Sequence, residues 1–251
     1  MHSLIIPAAG LGTRMKSVNS QLPKELLPLG EKPAIQYAVE EGIDAGAEQI
    51  IIIISPQKEI IRQRLAHLSA PIHYLYQQQP RGEADAMALA ESLVGQHSVG
   101  IIYPDNLYLP APGALKYLQG VYDQQNADVV ALTPVTQDNA RAMGHSGRVD
   151  LVQRTVDTYQ IERFHPKGPG HFIPRVAEEL RICGIMVTGP HFFEAIRRTR
   201  KVAQQGEFTD EPVRRLLLKE RGLLGVRLPG MVHDIGRPEG YYFGVKSLST
   251  R

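Results

Sequence analysis

The chain has 251 residues, enough for one large α/β domain or two small ones and for a buried core. Hydrophobic residues make up 43% and charged residues 22%, and the formal net charge of +2 argues against a nucleic-acid groove or a membrane surface. The one cysteine, Cys183, excludes an intrachain disulfide and a thiolate zinc cluster, and fits a reducing cytosol.

From the N-terminus, Met1 to Pro7 carries no early basic run, and its apolar stretch is soon broken by Pro7 and Gly10. No stretch approaches the ~18 apolar residues of a membrane helix. The expectation is a cytoplasmic protein without a secretory signal. Leu4 to Ile6 reads as a short buried strand running into a glycine-rich loop at Ala8 to Arg14. Pro33 to Ala45 reads as helix, with proline suited to its first position, Gly46 just past its end, and Ile35, Val39 and Ile43 on one face. Ile50 to Ile54 is an unbroken β-branched run, the pattern of a parallel strand buried on both faces.

A helix over Lys58 to Leu68 follows, then a strand at Ile72 to Tyr76, a helix at Ala84 to Val94 and a strand at Val99 to Tyr103. Gly113 to Gln125 reads as helix and Asp128 to Val135 as strand. This alternation indicates a doubly wound, Rossmann-like α/β fold with a mixed, mostly parallel sheet, which binds ligands at the carboxyl ends of its strands. From about 137 to 181 periodicity weakens, with short antiparallel strands at Val149 to Val152 and Thr158 to Ile161. That segment reads as an insertion or lid within a single domain spanning 1–251. Ile182 to Val187 returns to strand, Pro190 to Arg200 and Asp210 to Glu220 to helix, and Leu223 to Leu228 to strand.

The loop Ala8-Ala9-Gly10-Leu11-Gly12-Thr13-Arg14 is followed by Pro23-Lys24-Glu25-Leu26-Leu27-Pro28. Small residues after a strand let backbone N–H groups approach a phosphate, and an arginine there can hold phosphate oxygens in bidentate fashion. No Gly-Lys-Ser/Thr ending makes it a Walker A motif, and Met15 stands where a dinucleotide fingerprint needs its third glycine. Together these two segments resemble the signature of sugar-1-phosphate nucleotidylyltransferases. The stretch Lys32 to Glu41 is most similar to the UTP–glucose-1-phosphate uridylyltransferase branch. The resemblance covers nearly the whole chain and is thin between 137 and 181.

The resemblance implies roles for particular residues. Ala8, Ala9, Gly10, Gly12 and Thr13 would wrap the triphosphate, Arg14 would steady the leaving pyrophosphate, and Lys24 would neutralise charge near the α phosphate. Gln77, within Gln77-Gln78-Gln79-Pro80-Arg81-Gly82-Glu83-Ala84-Asp85-Ala86, would read the base, with Gly82 letting the base lie against the backbone. Asp85 is equally suited to a helix N-terminal charge. Asp105, at the end of the Val99 to Tyr103 strand, and Asp234, in His233-Asp234-Ile235-Gly236, would hold Mg2+.

Gly144, Glu162 and Gly184 match the sugar-binding positions. The family's Glu-Lys-Pro is replaced by Glu162-Arg163-Phe164, so either Arg163 or Lys167 would reach the acceptor phosphate. His165 and His171 read as solvated loop residues, Cys183 as a small core residue, and the Arg197, Arg198, Arg200 and Lys201 cluster as a solvated helix face. Tyr241, Tyr242 and Phe243 read as packing residues.

The partners implied are a nucleoside triphosphate, UTP first and dTTP second, and a sugar 1-phosphate, with glucose 1-phosphate favoured. Neither nucleic acid nor a membrane is implied, and a homo-oligomer is compatible with the sequence. Two other readings are a CTP-dependent transferase acting on a phospho-alcohol and a non-catalytic nucleotide-binding regulator of the same fold. Retention of Arg14, Lys24, Asp105 and Asp234 argues against the regulator.

Overall fold

Five successive isoleucines leave a strand no face for water, and the computed structural model, which describes residues 1–201 and 206–249, buries them in the strand next to one edge of a large sheet. The strands are β1 (Ser3–Pro7), β2 (Pro28–Leu29), β3 (Lys32–Pro33), β4 (Gln49–Ile54), β5 (Ile72–Tyr76), β6 (Val99–Ile102) and β7 (Asn106–Leu109). They continue with β8 (Val129–Val135), β9 (Val149–Gln153), β10 (Thr158–Phe164), β11 (Glu179–Thr188), β12 (Leu224–Arg227) and β13 (Met231–Asp234). The helices are α1 (Ala34–Asp44), α2 (Ile60–Leu65), α3 (Glu83–Ala88), α4 (Glu91–Val94), α5 (Ala114–Gln125), α6 (His191–Arg200), α7 (Glu211–Arg221) and α8 (Pro238–Ser249).

Nine strands form the main sheet in the order β5-β4-β1-β6-β11-β8-β12-β10-β9. The β5–β4, β4–β1, β1–β6 and β8–β12 pairs are parallel, while β11 runs antiparallel to both β6 and β8. The two-residue period of β4 divides its isoleucines between two cores. Ile51 and Ile53 pack with Met87 of α3, Phe192 and Phe193 of α6 and Leu217 of α7. Ile50, Ile52 and Ile54 pack with Ile35 and Val39 of α1, Ile61 of α2 and Leu118 of α5. Helices therefore cover both faces, as the alternation of elements predicts.

The 137–181 segment contributes its own edge to this sheet. β9 and β10 pair antiparallel, with an irregularity between Ile161 and Arg163, and β10 pairs with β12. The 84–94 helix is divided into α3 and α4, and the 58–68 helix is shortened to α2 behind a 3-10 turn at Pro56–Lys58. A separate ribbon of β7 and β13 sets Asp234 opposite Asn106, while the Ile235 N–H donates to the Asp105 carbonyl at 2.9 Å. This ribbon, not marked by periodicity, brings two strand ends more than a hundred positions apart in the chain to one place.

Candidate active site

The glycine-rich loop is fixed from beneath by a buried lysine. Lys58 Nζ donates to the carbonyls of Ala8 (2.8 Å) and Gly10 (2.5 Å) and to both carboxylate oxygens of Glu25 (2.9 and 2.8 Å). A planar trans peptide points its N–H opposite its C=O, so the amides of Ala9 and Leu11 face away from Lys58. That is the arrangement of an anion-binding backbone concavity. Burial pushes the Lys58 ammonium below its ordinary range, and Glu25 opposes that loss.

Gly12 adopts the left-handed conformation (φ 62°), and a Cβ there would lie 3.3 Å from Lys24 Cγ. The absent side chain lets the lysine stem run against the loop. Lys24 Nζ reaches Asp105 Oδ2 at 2.5 Å, and Asn106 Nδ2 donates to Asp105 Oδ1 at 2.9 Å. Burial pushes the Asp105 carboxyl up, but Lys24, with help from Arg14 and Asn106, holds it below the usual carboxylate range. Burial likewise lowers Lys24, and Asp105 and Glu25 more than restore it.

Arg14, Asp105, Gly144, Gly184 and Asp234 line one cavity of about 670 Å³. Arg14 is exposed and has no ion-pair partner among the described residues. Asp234 Oδ2 accepts the Gly144 N–H at 3.1 Å and lies 3.9 Å from Arg181 Nη1. Both aspartates thus carry cationic or N–H partners and open onto the same space. No group of three or more His, Cys, Asp or Glu able to hold a metal occurs among the described residues. Two carboxylates suit an oxygen-loving cation that completes its shell with phosphate oxygens and water.

Other expected residues fall elsewhere. Ala8 and Ala9 are buried in the core, so only their peptide groups are available to a ligand. Gln77 does not line this cavity but a different one, with its Nε2 donating to Gly82 O (3.0 Å) and Asp85 Oδ2 (2.9 Å). Gly82 has φ 100°, and a Cβ there would meet the Phe208 carbonyl oxygen at 2.4 Å. Its glycine is therefore required here by the Phe208 backbone.

Glu162 and Arg163 are not brought into the catalytic cavity. They line a second groove with Arg154, Arg215 and Lys219, both are exposed, and Arg163 pairs with Asp150 at 2.7 Å. The irregularity in β10 between Ile161 and Arg163 breaks its two-residue alternation, leaving Glu162 and Arg163 both exposed while Phe164 is buried between the two spaces and lines both, and His165 and Lys167 line the main cavity. Of the two candidates for the acceptor phosphate, only Lys167 faces the space shared by Asp105 and Asp234.

Sequence reasoning missed Lys58, Glu25, Glu83, Tyr103, Asp210 and Arg214. The last four all line the catalytic cavity. His165 Nε2 contacts Asp150 Oδ1 at 2.7 Å, and Cys183 is buried with its Sγ 3.3 Å from the Ala131 carbonyl, as a core residue should be. Arg197, Arg198 and Arg200 are paired with Glu91, Glu220 and Asp85, so that helix face is a network of ion pairs. Tyr241 is buried, whereas Tyr242 is exposed.

A glycine-rich loop, a lysine, an arginine and two carboxylates at strand ends of a two-faced α/β sheet have the chemistry that suits a nucleotide's phosphates. Residues 3–248 match the model of the nucleotidyl transferase family, and the chain belongs to that family. It is 33% identical over 267 residues to the UTP–glucose-1-phosphate uridylyltransferase YngB of Bacillus subtilis, covering 96% of this chain and 87% of the relative. Another UTP–glucose-1-phosphate uridylyltransferase of that organism is 26% identical over 265 residues, covering 96% and 88%. A solved structure of UDP-glucose pyrophosphorylase complexed with UDP-glucose superposes with a TM-score of 0.80 at 25% identity, covering 100% of this chain and 99% of the other. No helix among the described residues is long and apolar enough to cross a membrane.

Proposed function

We propose that this protein transfers the uridylyl group of UTP to glucose 1-phosphate, releasing pyrophosphate and UDP-glucose. The observation that carries the reading is the convergence of Arg14, Lys24, Asp105 and Asp234 around a glycine-rich loop whose amides face outward. The names of the relatives support the choice of base and sugar.

The phosphate oxygen of glucose 1-phosphate attacks the α phosphorus in line with the departing pyrophosphate. A phosphate dianion is already a nucleophile, so no general base is needed. The barrier lies in crowding negative charge and in alignment. Arg14 binds the departing phosphates, and Lys24 neutralises charge at the α phosphate. Gly10, Gly12 and Thr13 hold the triphosphate through the backbone, and Gln77 with Gly82 borders the base. Gly144, Gly184 and Lys167 border the acceptor. Asp105 and Asp234 would hold the divalent cation, Mg2+, whose bound charge offsets that of the phosphates. A cytoplasmic location is part of the reading, supported by a lone, buried, reduced Cys183.

The test is pyrophosphate release with Mg2+, crossing UTP, dTTP, CTP and GTP against glucose 1-phosphate, other hexose 1-phosphates and phosphocholine. Fastest turnover with UTP and glucose 1-phosphate is expected. Turnover confined to CTP and the phospho-alcohol would overturn the reading.

A further inference from the structure

Four side chains absent from the mechanism above form one polar wall of the catalytic cavity: Glu83, Tyr103, Asp210 and Arg214. Asp210 is 6% exposed and sits at the centre of the wall. The Tyr103 hydroxyl donates to its Oδ2 at 2.7 Å, and Arg214 Nη2 donates to its Oδ1 at 3.0 Å. Both oxygens of Asp210 are thereby engaged within the protein. Tyr103 packs against Gly184, where a Cβ would lie 2.5 Å from the ring's Cδ2, so the glycine makes room for this wall. Two backbone hydrogen bonds hold the segment carrying Asp210 beside α3, the Phe208 N–H donating to the Arg81 carbonyl (2.7 Å) and the Ala84 N–H to the Phe208 carbonyl (3.1 Å).

Glu83 differs from the rest. Its side chain lines the same cavity at the start of α3 and has no ion-pair partner among the described residues. Burial, reinforced by the nearby Asp210 charge, pushes it above the ordinary glutamate range, while Lys167 across the cavity opposes this. A half-buried carboxyl with acceptor capacity left over, on a rigid helix start, is suited to taking hydrogen bonds from a ligand's hydroxyl groups. The glutamate that the sequence offers for that task, Glu162, lies in a different groove.

We propose that Glu83, held in place by the Tyr103–Asp210–Arg214 network, accepts hydrogen bonds from hydroxyl groups of the sugar 1-phosphate and is the specificity-determining residue of the acceptor pocket. This rests on the uridylyltransferase reading given above. The ligand class is a polyhydroxylated ring phosphate. An acceptor lacking the matching hydroxyl leaves the carboxyl unpaired in the closed site, which is the strongest basis a pocket has for rejection.

The test is steady-state kinetics of the wild type, Glu83→Ala, Glu83→Gln and Glu162→Ala. UTP and glucose 1-phosphate are each varied, and UTP binding is measured separately by calorimetry. The expected result for Glu83→Ala is a KM for glucose 1-phosphate raised about 10- to 100-fold, the loss that follows from removing a hydrogen bond to a charged group. Its UTP dissociation constant should stay within about twofold of the wild type. Glu83→Gln, which keeps one acceptor oxygen, should fall between the two and guards against misfolding of the alanine variant. In the wild type, 2-, 3- and 4-deoxyglucose 1-phosphates should show at least one position with a similar penalty, and that penalty should vanish in Glu83→Ala. An unchanged acceptor KM in a folded Glu83→Ala overturns the inference. So does a rise confined to UTP, which would put Glu83 against the nucleotide, or an acceptor effect seen only in Glu162→Ala. A wild-type protein that binds UTP yet turns over no hexose 1-phosphate overturns the underlying reading, and the inference with it.

Discussion

Replacing Lys58 with methionine keeps an unbranched stem, shorter by one atom, and removes its charge. The Glu25 carboxylate, whose side chain is 1% exposed, then loses its counterion, and the Ala8 and Gly10 carbonyls lose their donor. Breaking a buried pair by deleting one partner costs about 3–5 kcal/mol, because the other charge is left uncompensated. At roughly 2–4 °C per kcal/mol for a chain of this size, Tm should fall by about 6–20 °C. Function should suffer separately, since the same ammonium orients the peptide groups of the phosphate loop. The KM for UTP should rise by about tenfold or more when assayed well below the new Tm, consistent with the loss of one or two oriented backbone donors. Adding Glu25→Gln to Lys58→Met removes the stranded charge and should recover much of the stability without restoring the UTP KM. Differential scanning calorimetry and initial-rate kinetics check both parts. A Lys58→Met protein with wild-type Tm and wild-type UTP KM would refute the reasoning, and a double variant less stable than the single one would refute its electrostatic part.

Other outcomes follow from the same geometry. Asp105→Ala and Lys24→Ala should each lower kcat by about 10²–10³-fold, the scale of losing one charge-stabilising group, with circular dichroism unchanged. Gly184→Ala drives a methyl into the Tyr103 ring, 2.5 Å from Cδ2, and should destabilise the protein by about 1–3 kcal/mol in urea titration. Burial pushes the Cys183 thiol from its ordinary 9.0 up to about 12, so iodoacetamide at pH 8.5 should leave the native protein unlabelled and modify one thiol per chain in urea. The sign of the linkage follows: the folded state holds this proton more tightly, so its contribution is intact below 9.0 and is lost as pH rises toward 12.

Local patterns carried much of the fold. The isoleucine run of β4, with no polar position, could only be a strand buried on both faces, and the structure divides it between two cores. The phosphate loop was legible because small residues after a strand are a local signal. That Asp105 and Asp234 line one cavity was expected only through resemblance, since nothing local states that β7 and β13 pair. The missing parts depend on tertiary partners. Lys58, in Pro56-Gln57-Lys58-Glu59, reads as a solvated charge at a helix start, and only a carboxylate 33 positions away makes its burial tolerable. Glu83 sits inside a motif whose glutamine and glycine drew attention instead. Asp210 reads as a helix start, which it is, and its link to Tyr103 spans 107 positions. Glu162 and Arg163 line a different groove from Asp105 and Asp234, which the sequence does not state because an irregularity in mid-strand β10 decides which side chains face which space. A one-residue difference there exchanges the two faces.

Uridylyl transfer by residues gathered at Asp105 and Lys24 can be followed phosphorus by phosphorus. The most direct measurement is ³¹P NMR of UTP, glucose 1-phosphate and Mg2+ with the wild-type protein, and again with folded Asp105→Ala. UDP-glucose and pyrophosphate should appear in equal amounts with the wild type, and both substrates should persist with the variant over the same period. Persistence of UTP and glucose 1-phosphate with the wild type, or equal conversion by Asp105→Ala, would contradict it.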